Sequence, residues 1–301
     1  ISLRKKLNKN IDLLYAMKSN PNPFLLKAIS KYVDGVDISS LGEMELASKQ
    51  GLDPMNFSFA GPGKTENDLI GALRGKCGIL SVESIDELNR LAKLENKIDF
   101  ANTKVMLRIN PPRVSKEFSL KMGGRATQFG IDESEFHQCL EKINLCKKFK
   151  LIGIHVYSGT QCLSLNGLEQ NFQFTLELAE RLMSQYDIKL ERINLGGGVG
   201  IPIYVGEESL SEDDIANIIN KQTEQFSKNH KETLFSIELG RYLVGEFGYY
   251  LSKVVSIKKS HGESIIVLDG GMHHHLAASG NLGQGLRKNY LIKNISSISF
   301  E

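Results

Sequence analysis

Lys18 stands directly after an apolar run, in Tyr15-Ala16-Met17-Lys18-Ser19-Asn20. A lysine placed beside buried chain, desolvated and with a lowered pKa, is suited to form a Schiff base with an aldehyde. An ordinary solvated lysine at a strand end is the alternative. Seven further apolar runs end in polar or glycine-rich clusters, and their chemistry bears on that choice. They supply Asp37, Gly61-Pro62-Gly63-Lys64, Glu83, Arg108, His155 with Ser158, Gly196-Gly197-Gly198, and Glu238 with Gly240 and Arg241. No serine or cysteine has its histidine and acid in a supporting motif, so this is not a hydrolase triad. No metal-ligand spacing is visible either, and no metal is expected.

Gly196-Gly197-Gly198 and Gly240-Arg241 suit a phosphate, with exposed backbone N–H groups and a guanidinium to complete the charge. Three glycines in a row equally suit a flexible turn. His155, in Gly153-Ile154-His155-Val156-Tyr157-Ser158, fits a hydrogen-bonded core histidine or a ring stacked on a flat cofactor. Glu238 is costly to bury unless paired. A salt bridge to Arg241 or Arg108 is its structural reading. Its functional reading is a partner for a protonated ring nitrogen. Lysine, phosphate cradle, ring stacker and acid together specify pyridoxal 5'-phosphate.

The elements that must position these residues follow from the apolar runs. Strands are expected at 13–17, 35–38, 57–59, 79–82, 105–109, 151–156, 192–195 and 234–237. Most runs are continuous rather than alternating, as in strands covered on both faces. Helical patterns cover 24–32, 41–49, 133–147, 168–185 and 212–228, and Ser84-Ile85-Asp86-Glu87 reads as a capping box opening a helix through Leu94. Eight βα units predict a (β/α)8 TIM barrel with its active site at the C-terminal strand ends. An open doubly wound sheet is the alternative. After Gly245 the pattern turns β-rich, so a barrel over 1–245 and part of a C-terminal β domain over 246–301, apparently incomplete, are expected.

The composition is that of a soluble globular protein, with 301 residues, 41% hydrophobic and 24% charged. A net charge of +2 gives no broad basic field, so nucleic acid is not an expected partner. No apolar run reaches the roughly 18 residues of a membrane span. Cys77, Cys139, Cys146 and Cys162 lack CxxC spacing and read as reduced thiols of a cytoplasmic protein. The chain opens on Ile1 rather than Met, without a secretory pattern, so upstream residues are expected to be missing.

As a set, these segments resemble the fold-type III pyridoxal-phosphate decarboxylases, the family of ornithine, arginine and diaminopimelate decarboxylases. The resemblance rests on Tyr15 through Asn20, Asp37-Ile38-Ser39-Ser40-Leu41-Gly42-Glu43, His155 through Gln161, Asn194 through Gly198, Glu238-Leu239-Gly240-Arg241 and Asp269-Gly270-Gly271. It implies that Lys18 forms the Schiff base, His155 stacks on the ring and Glu238 meets the ring nitrogen. It implies that Ser158, Gly196, Gly197, Gly198, Gly240 and Arg241 surround the phosphate, with Asp37 and Arg108 flanking lysine and cofactor. Leu239 departs from the family's usual proline. The family's cysteine-aspartate motif and a later tyrosine are absent from these 301 residues.

Lys121-Met122-Gly123-Gly124, Gln128-Phe129-Gly130 and the segment Asp269 through Asn281 are most similar to the subgroup acting on amino acids tethered to acyl-carrier proteins. His273-His274-His275 reads as a polar site wall, since adjacent residues of an extended segment cannot all face one ion. The resemblance implies decarboxylation of an L-amino acid, free or carrier-bound, by a homodimer that shares its sites. An amino-acid racemase of the same fold would be expected to place arginine where Glu238 stands. A non-catalytic pyridoxal-phosphate-binding protein would be expected to end with the barrel.

Overall fold

The computed structural model describes residues 2–274 and 292–295. They divide into two compact units, one running to Ile201 and resuming over Ser209–Glu246, the other comprising Pro202–Glu208 and the described residues from Phe247 onward. In the first unit eight parallel strands form the barrel wall: β1 (Ile11–Ala16), β2 (Gly35–Ile38), β3 (Phe57–Phe59), β4 (Ile79–Val82), β5 (Thr103–Asn110), β6 (Phe149–His155), β7 (Arg192–Gly197) and β8 (Leu234–Leu239). Each pairs with the next, and β8 returns to β1 with Ile11 opposite Phe235 and Leu14 opposite Glu238, so the sheet is closed. The (β/α)8 barrel expected from the sequence is the fold observed. The open-sheet alternative fails because β1 and β8 pair.

Eight helices of the barrel layer follow the strands: α1 (Pro23–Ile29), α2 (Leu41–Lys49), α3 (Glu66–Arg74), α4 (Ile85–Glu95), α5 (Phe136–Leu145), α6 (Leu165–Tyr186), α7 (Glu212–Ser227) and α8 (Arg241–Val244). Local chemistry sets their starts. Asn22 caps α1 from ahead of Pro23, Ser40 caps α2, and Thr65 with Asp68 forms a full capping box on α3. At α4 only half of the expected box forms. Ser84 accepts from Glu87 N–H, but the Glu87 carboxylate turns away to Lys64 and to Glu83 N–H. The barrel core includes Tyr15, Phe57, Phe59, Phe136, Phe172 and Phe235, all fully buried, and each large apolar side chain so placed contributes about 1.5–3 kcal/mol.

The excursions from the barrel matter most for the site. Between β5 and α5, strand Phe118–Lys121 pairs antiparallel with Gly159–Cys162, which follows β6, and Ile131–Asp132 extends the edge of β5. In the second unit β9 (Val254–Ser260) and β10 (Glu263–Leu268) form an antiparallel hairpin. His261 and Gly262 both have positive φ (48° and 84°) in its tight turn. Residues 275–291 and 296–301 lie outside the described residues, and with them His275, the end of the Asp269–Asn281 motif and most of the 292–300 run.

Gly197 shows how tightly the wall closes at its last strands. It pairs with Glu238, and a Cβ there would lie 1.8 Å from the Glu238 carbonyl oxygen. Gly197→Ala must push β7 from β8. We expect it to lower stability by about 1–3 kcal/mol, the cost of overpacking, measured as a lower urea midpoint with an unchanged m-value.

Candidate active site

β1 ends in a single 3-10 turn, Met17–Ser19, which lifts Lys18 from the barrel wall. Ser19 Oγ donates to Ala16 O and Tyr15 Oη to Asn20 O, both at 2.8 Å, so the polar residues around Lys18 shape its turn. Lys18 Nζ lies 3.6 Å from Asp37 Oδ2 on β2, and its side chain is 53% exposed. Burial lowers the Lys18 pKa, but Asp37 and Glu238 more than offset it and hold the ammonium above its ordinary value. The lowered pKa expected from the sequence is thus corrected: carboxylates from two other strands decide the sign.

Those carboxylates titrate in opposite directions. Burial, helped by the Glu238 charge, pushes the Asp37 carboxyl well above the usual range, against the pull of Lys18 and Arg108. Glu238 on β8 would also be raised by burial. His155, Lys18 and the Asn194 amide reverse this and hold it at about 2. Asn194 Nδ2 donates to Glu238 Oε1 at 2.5 Å, while Asn194 Oδ1 accepts from Gly196 N–H at 2.9 Å. His155 Nε2 stands 3.4 Å from Glu238 Oε2, and Nδ1 is 2.9 Å from Ser81 Oγ on β4.

The salt bridge from Glu238 to Arg241 or Arg108 is not what the fold provides. Arg108 Nη1 donates to Glu83 Oε1 at 2.9 Å, its guanidinium against the Phe129 ring. Glu83 also accepts from Gly61 N–H and Gly130 N–H. Arg241 is exposed and donates to Gln161 Oε1 at 3.4 Å. Lys64 is no mouth residue but wholly buried. It donates to Gly61 O and Ser81 O and pairs with Glu87 at 3.0 Å beneath the end of β4.

The glycine loop after β7 packs under the turn that follows β6. Gly196 and Gly198 have positive φ (70° and 93°), and a Cβ on Gly198 would meet Gly159 O at 2.4 Å. Close backbone approach therefore accounts for these glycines by itself. Ser158 is different. Its hydroxyl is buried without a hydrogen-bond partner, as are both Asp37 oxygens and His155 Nε2, and buried polar atoms left so are rare.

Sequence reasoning missed Ser81, Asn194 and Tyr157 as site residues. Ser81 and Asn194 carried a usable signal, a polar residue within a continuous apolar strand. Tyr157 lay inside a quoted motif, yet its role is spatial: its ring centroid is 5.2 Å from Lys18 Nζ and 5.8 Å from Arg108 Cζ.

The model of the pyridoxal-binding domain of pyridoxal-dependent decarboxylases matches residues 1–245. The chain belongs to this family. Among decarboxylase relatives, it is 35% identical over 297 residues to L-glutamyl-[BtrI acyl-carrier protein] decarboxylase of Niallia circulans, covering 97% of this chain and 68% of that protein. It is 32% identical to 2-[(L-alanin-3-ylcarbamoyl)methyl]-2-hydroxybutanedioate decarboxylase of Staphylococcus aureus, covering 89% of this chain and 66% of that protein. Diaminopimelate decarboxylase from Helicobacter pylori, solved with L-lysine, superposes with a TM-score of 0.82 at 25% identity, over 93% of this chain and 69% of that one. The chain thus spans about two thirds of the length of each. All three are decarboxylases, which together with Glu238 disfavours the racemase reading.

The residues present fit the family's cofactor. Lys18 offers an amine, the buried Ser158 hydroxyl an uncommitted polar group, and Glu238 a persistent negative charge. The opposed carboxylates give a test on the cofactor-free protein. Because the native Asp37 pKa is raised, the folded state binds a proton that the unfolded state has released above pH ~3.8. Stability contributed by Asp37 therefore falls as pH rises from there toward its native pKa. Asp37→Asn lacks that decline. Its urea midpoint relative to wild type is expected to rise across this window, and parallel profiles would show Asp37 ionising normally.

Proposed function

We propose that the protein removes CO2 from an L-amino acid with pyridoxal 5'-phosphate as cofactor. The supporting observation is the Lys18 amine set near two buried carboxylates of opposite titration behaviour, with His155 beside one of them. In this reading Lys18 is the attachment point, His155 lies against the ring, and Glu238 faces the ring nitrogen. Ser158, Gly196, Gly197, Gly198, Gly240 and Arg241 receive the phosphate, and Asp37 and Arg108 flank it. When bound, pyridoxal phosphate supplies an aldehyde for the substrate amine and a ring that takes up the electrons left by departing CO2.

The chain's own groups prepare that chemistry. Lys18 must lose a proton before it can act as a nucleophile, and Asp37 Oδ2, 3.6 Å from Nζ, holds the side chain in place. Glu238 keeps its charge down to about pH 2, so it can hold a proton on a basic nitrogen facing it. Ser81, through His155 Nδ1, and Asn194, through Glu238 Oε1, fix the orientation of these two side chains. The buried ion pair of Arg108 with Glu83 keeps that guanidinium at the mouth.

For the substrate, we favour an L-amino acid tethered to a carrier protein, such as the one named for the Niallia circulans relative. The twofold homodimer implied by the family resemblance belongs to the same proposal and is checked by sedimentation. Borohydride treatment of the holoenzyme followed by peptide mapping should place the cofactor on Lys18; label elsewhere, with Lys18 unmodified, would remove the assignment. Glu238→Gln should retain cofactor while kcat falls by two to three orders of magnitude, about 2.7–4 kcal/mol by analogy with loss of a preorganised polar partner. Near wild-type turnover would make Glu238 structural.

A further inference from the structure

Among the described residues four that are not glycine adopt a positive φ: Lys76, Gln161, Asp187 and His261. Lys76 lies in the turn after α3, Asp187 caps the C-terminus of α6, and His261 turns the β9–β10 hairpin. Gln161, at φ 60°, stands inside a strand, Gly159–Cys162, where extended backbone is the rule. The left-handed region is costly for a residue that carries a Cβ. Held there with no turn to account for it, Gln161 points to a use for its side chain.

That side chain binds on two sides. Its amide works as a peptide unit against Ile201, with Nε2 donating to Ile201 O and Oε1 accepting from Ile201 N–H at 3.4 Å. The same Oε1 accepts from Arg241 Nη1 at 3.4 Å. Backbone bonds fix the frame beneath it. Cys162 N–H donates to Gly198 O at 2.9 Å and Gly200 N–H to Cys162 O at 2.8 Å, so the strand flanks the glycine loop after β7. From the other side Ser119 Oγ donates to Gln161 O at 3.0 Å.

Arg241 opens α8 and is exposed, and among the described residues Gln161 supplies the one hydrogen bond of its guanidinium. The chemistry of that partner matters. An amide oxygen holds a guanidinium and leaves its charge uncancelled, whereas a carboxylate in the same place would neutralise it. A cation fixed by a neutral group is ready for an anion, and fixing it beforehand lowers the entropy lost when the anion arrives.

We propose that Gln161 is a positioning residue for Arg241, tying its guanidinium to the strand that flanks the glycine loop so that it meets the cofactor's phosphate. The inference rests on the reading above in which Arg241 and the glycine loop receive that phosphate.

The test compares pyridoxal 5'-phosphate with pyridoxal, which lacks the phosphate, by equilibrium dialysis against the full chain freed of cofactor and reloaded. Gln161→Asn tolerates a positive φ but is a methylene too short to serve both Ile201 and Arg241. It should weaken pyridoxal phosphate about threefold to tenfold, the loss of one hydrogen bond, and leave pyridoxal within about twofold of wild type. Arg241→Ala should weaken the phosphorylated form by at least about tenfold. Combining the two should cost no more than Arg241→Ala alone, to within about twofold, since a residue acting through Arg241 then has nothing to position. Gln161→Gly, which adopts φ 60° freely, should behave as Gln161→Asn does.

A loss that persists undiminished on the Arg241→Ala background would overturn the proposal and assign Gln161 to the glycine loop alone. So would equal weakening of pyridoxal and its phosphate, as expected of a general brace, or unchanged binding by both Gln161 variants. If Arg241→Ala itself leaves the preference for the phosphorylated form intact, the phosphate role of Arg241 fails and this proposal with it. If only the Gln161 variants are silent, that role stands and the proposal alone falls.

Discussion

Four carboxylates, Asp37, Glu83, Glu87 and Glu238, are buried at one end of a parallel barrel, and the arrangement of that end follows from how their charge is met. An unpaired buried carboxylate is too costly to keep ionised. Glu87 takes Lys64, Glu83 takes Arg108, and Glu238 takes His155 with the Asn194 amide. Asp37 is left with the partly exposed Lys18, and burial raises its carboxyl well above the usual range. Of the four partners only Lys18 is half-exposed; Lys64, Arg108 and His155 are buried.

This distribution separates scaffold from chemistry more clearly than the residue types do. Lys64 and Lys18 both follow barrel strands, and each is the sole lysine of its cluster. Lys64, with no exposed surface, ties Gly61 and Ser81 to α4 through Glu87. It thereby supports Ser81, which holds His155, and Glu83, which holds Arg108. Lys18, half-exposed, lies 3.6 Å from Asp37 and enters no comparable network of hydrogen bonds among the described residues.

The barrel itself was legible because each wall strand is a short continuous apolar run, which is what burial on both faces demands. β2, β3 and β4 fall on the expected residues, β5 is longer only through the polar Thr103, Lys104 and Asn110, and β6 begins earlier, at Phe149, and ends at His155 rather than Val156. The strands Phe118–Lys121 and Gly159–Cys162 were not legible, since each is only four residues long and they pair with each other rather than with the wall. α3 was passed over although Thr65-x-x-Asp68 announces it. Within the site, identities could be read but partners could not. Whether Glu238 meets Arg241 or Asn194, and whether Lys18 is acidified or made more basic, depends on strands distant in sequence.

The pairing of β1 with β8 puts Leu14 opposite Glu238, so Lys18 and a buried carboxylate that acts on it come from the two ends of the barrel sequence. On the ribosome, a chain emerging from its N-terminus would expose Lys18 long before Glu238 exists. A nascent or nicked barrel lacking β8 would carry Lys18 without Glu238. Loop-closure entropy makes so distant a pairing among the late steps of folding. The order of synthesis thus makes Glu238 the last of the four buried carboxylates to reach the barrel end.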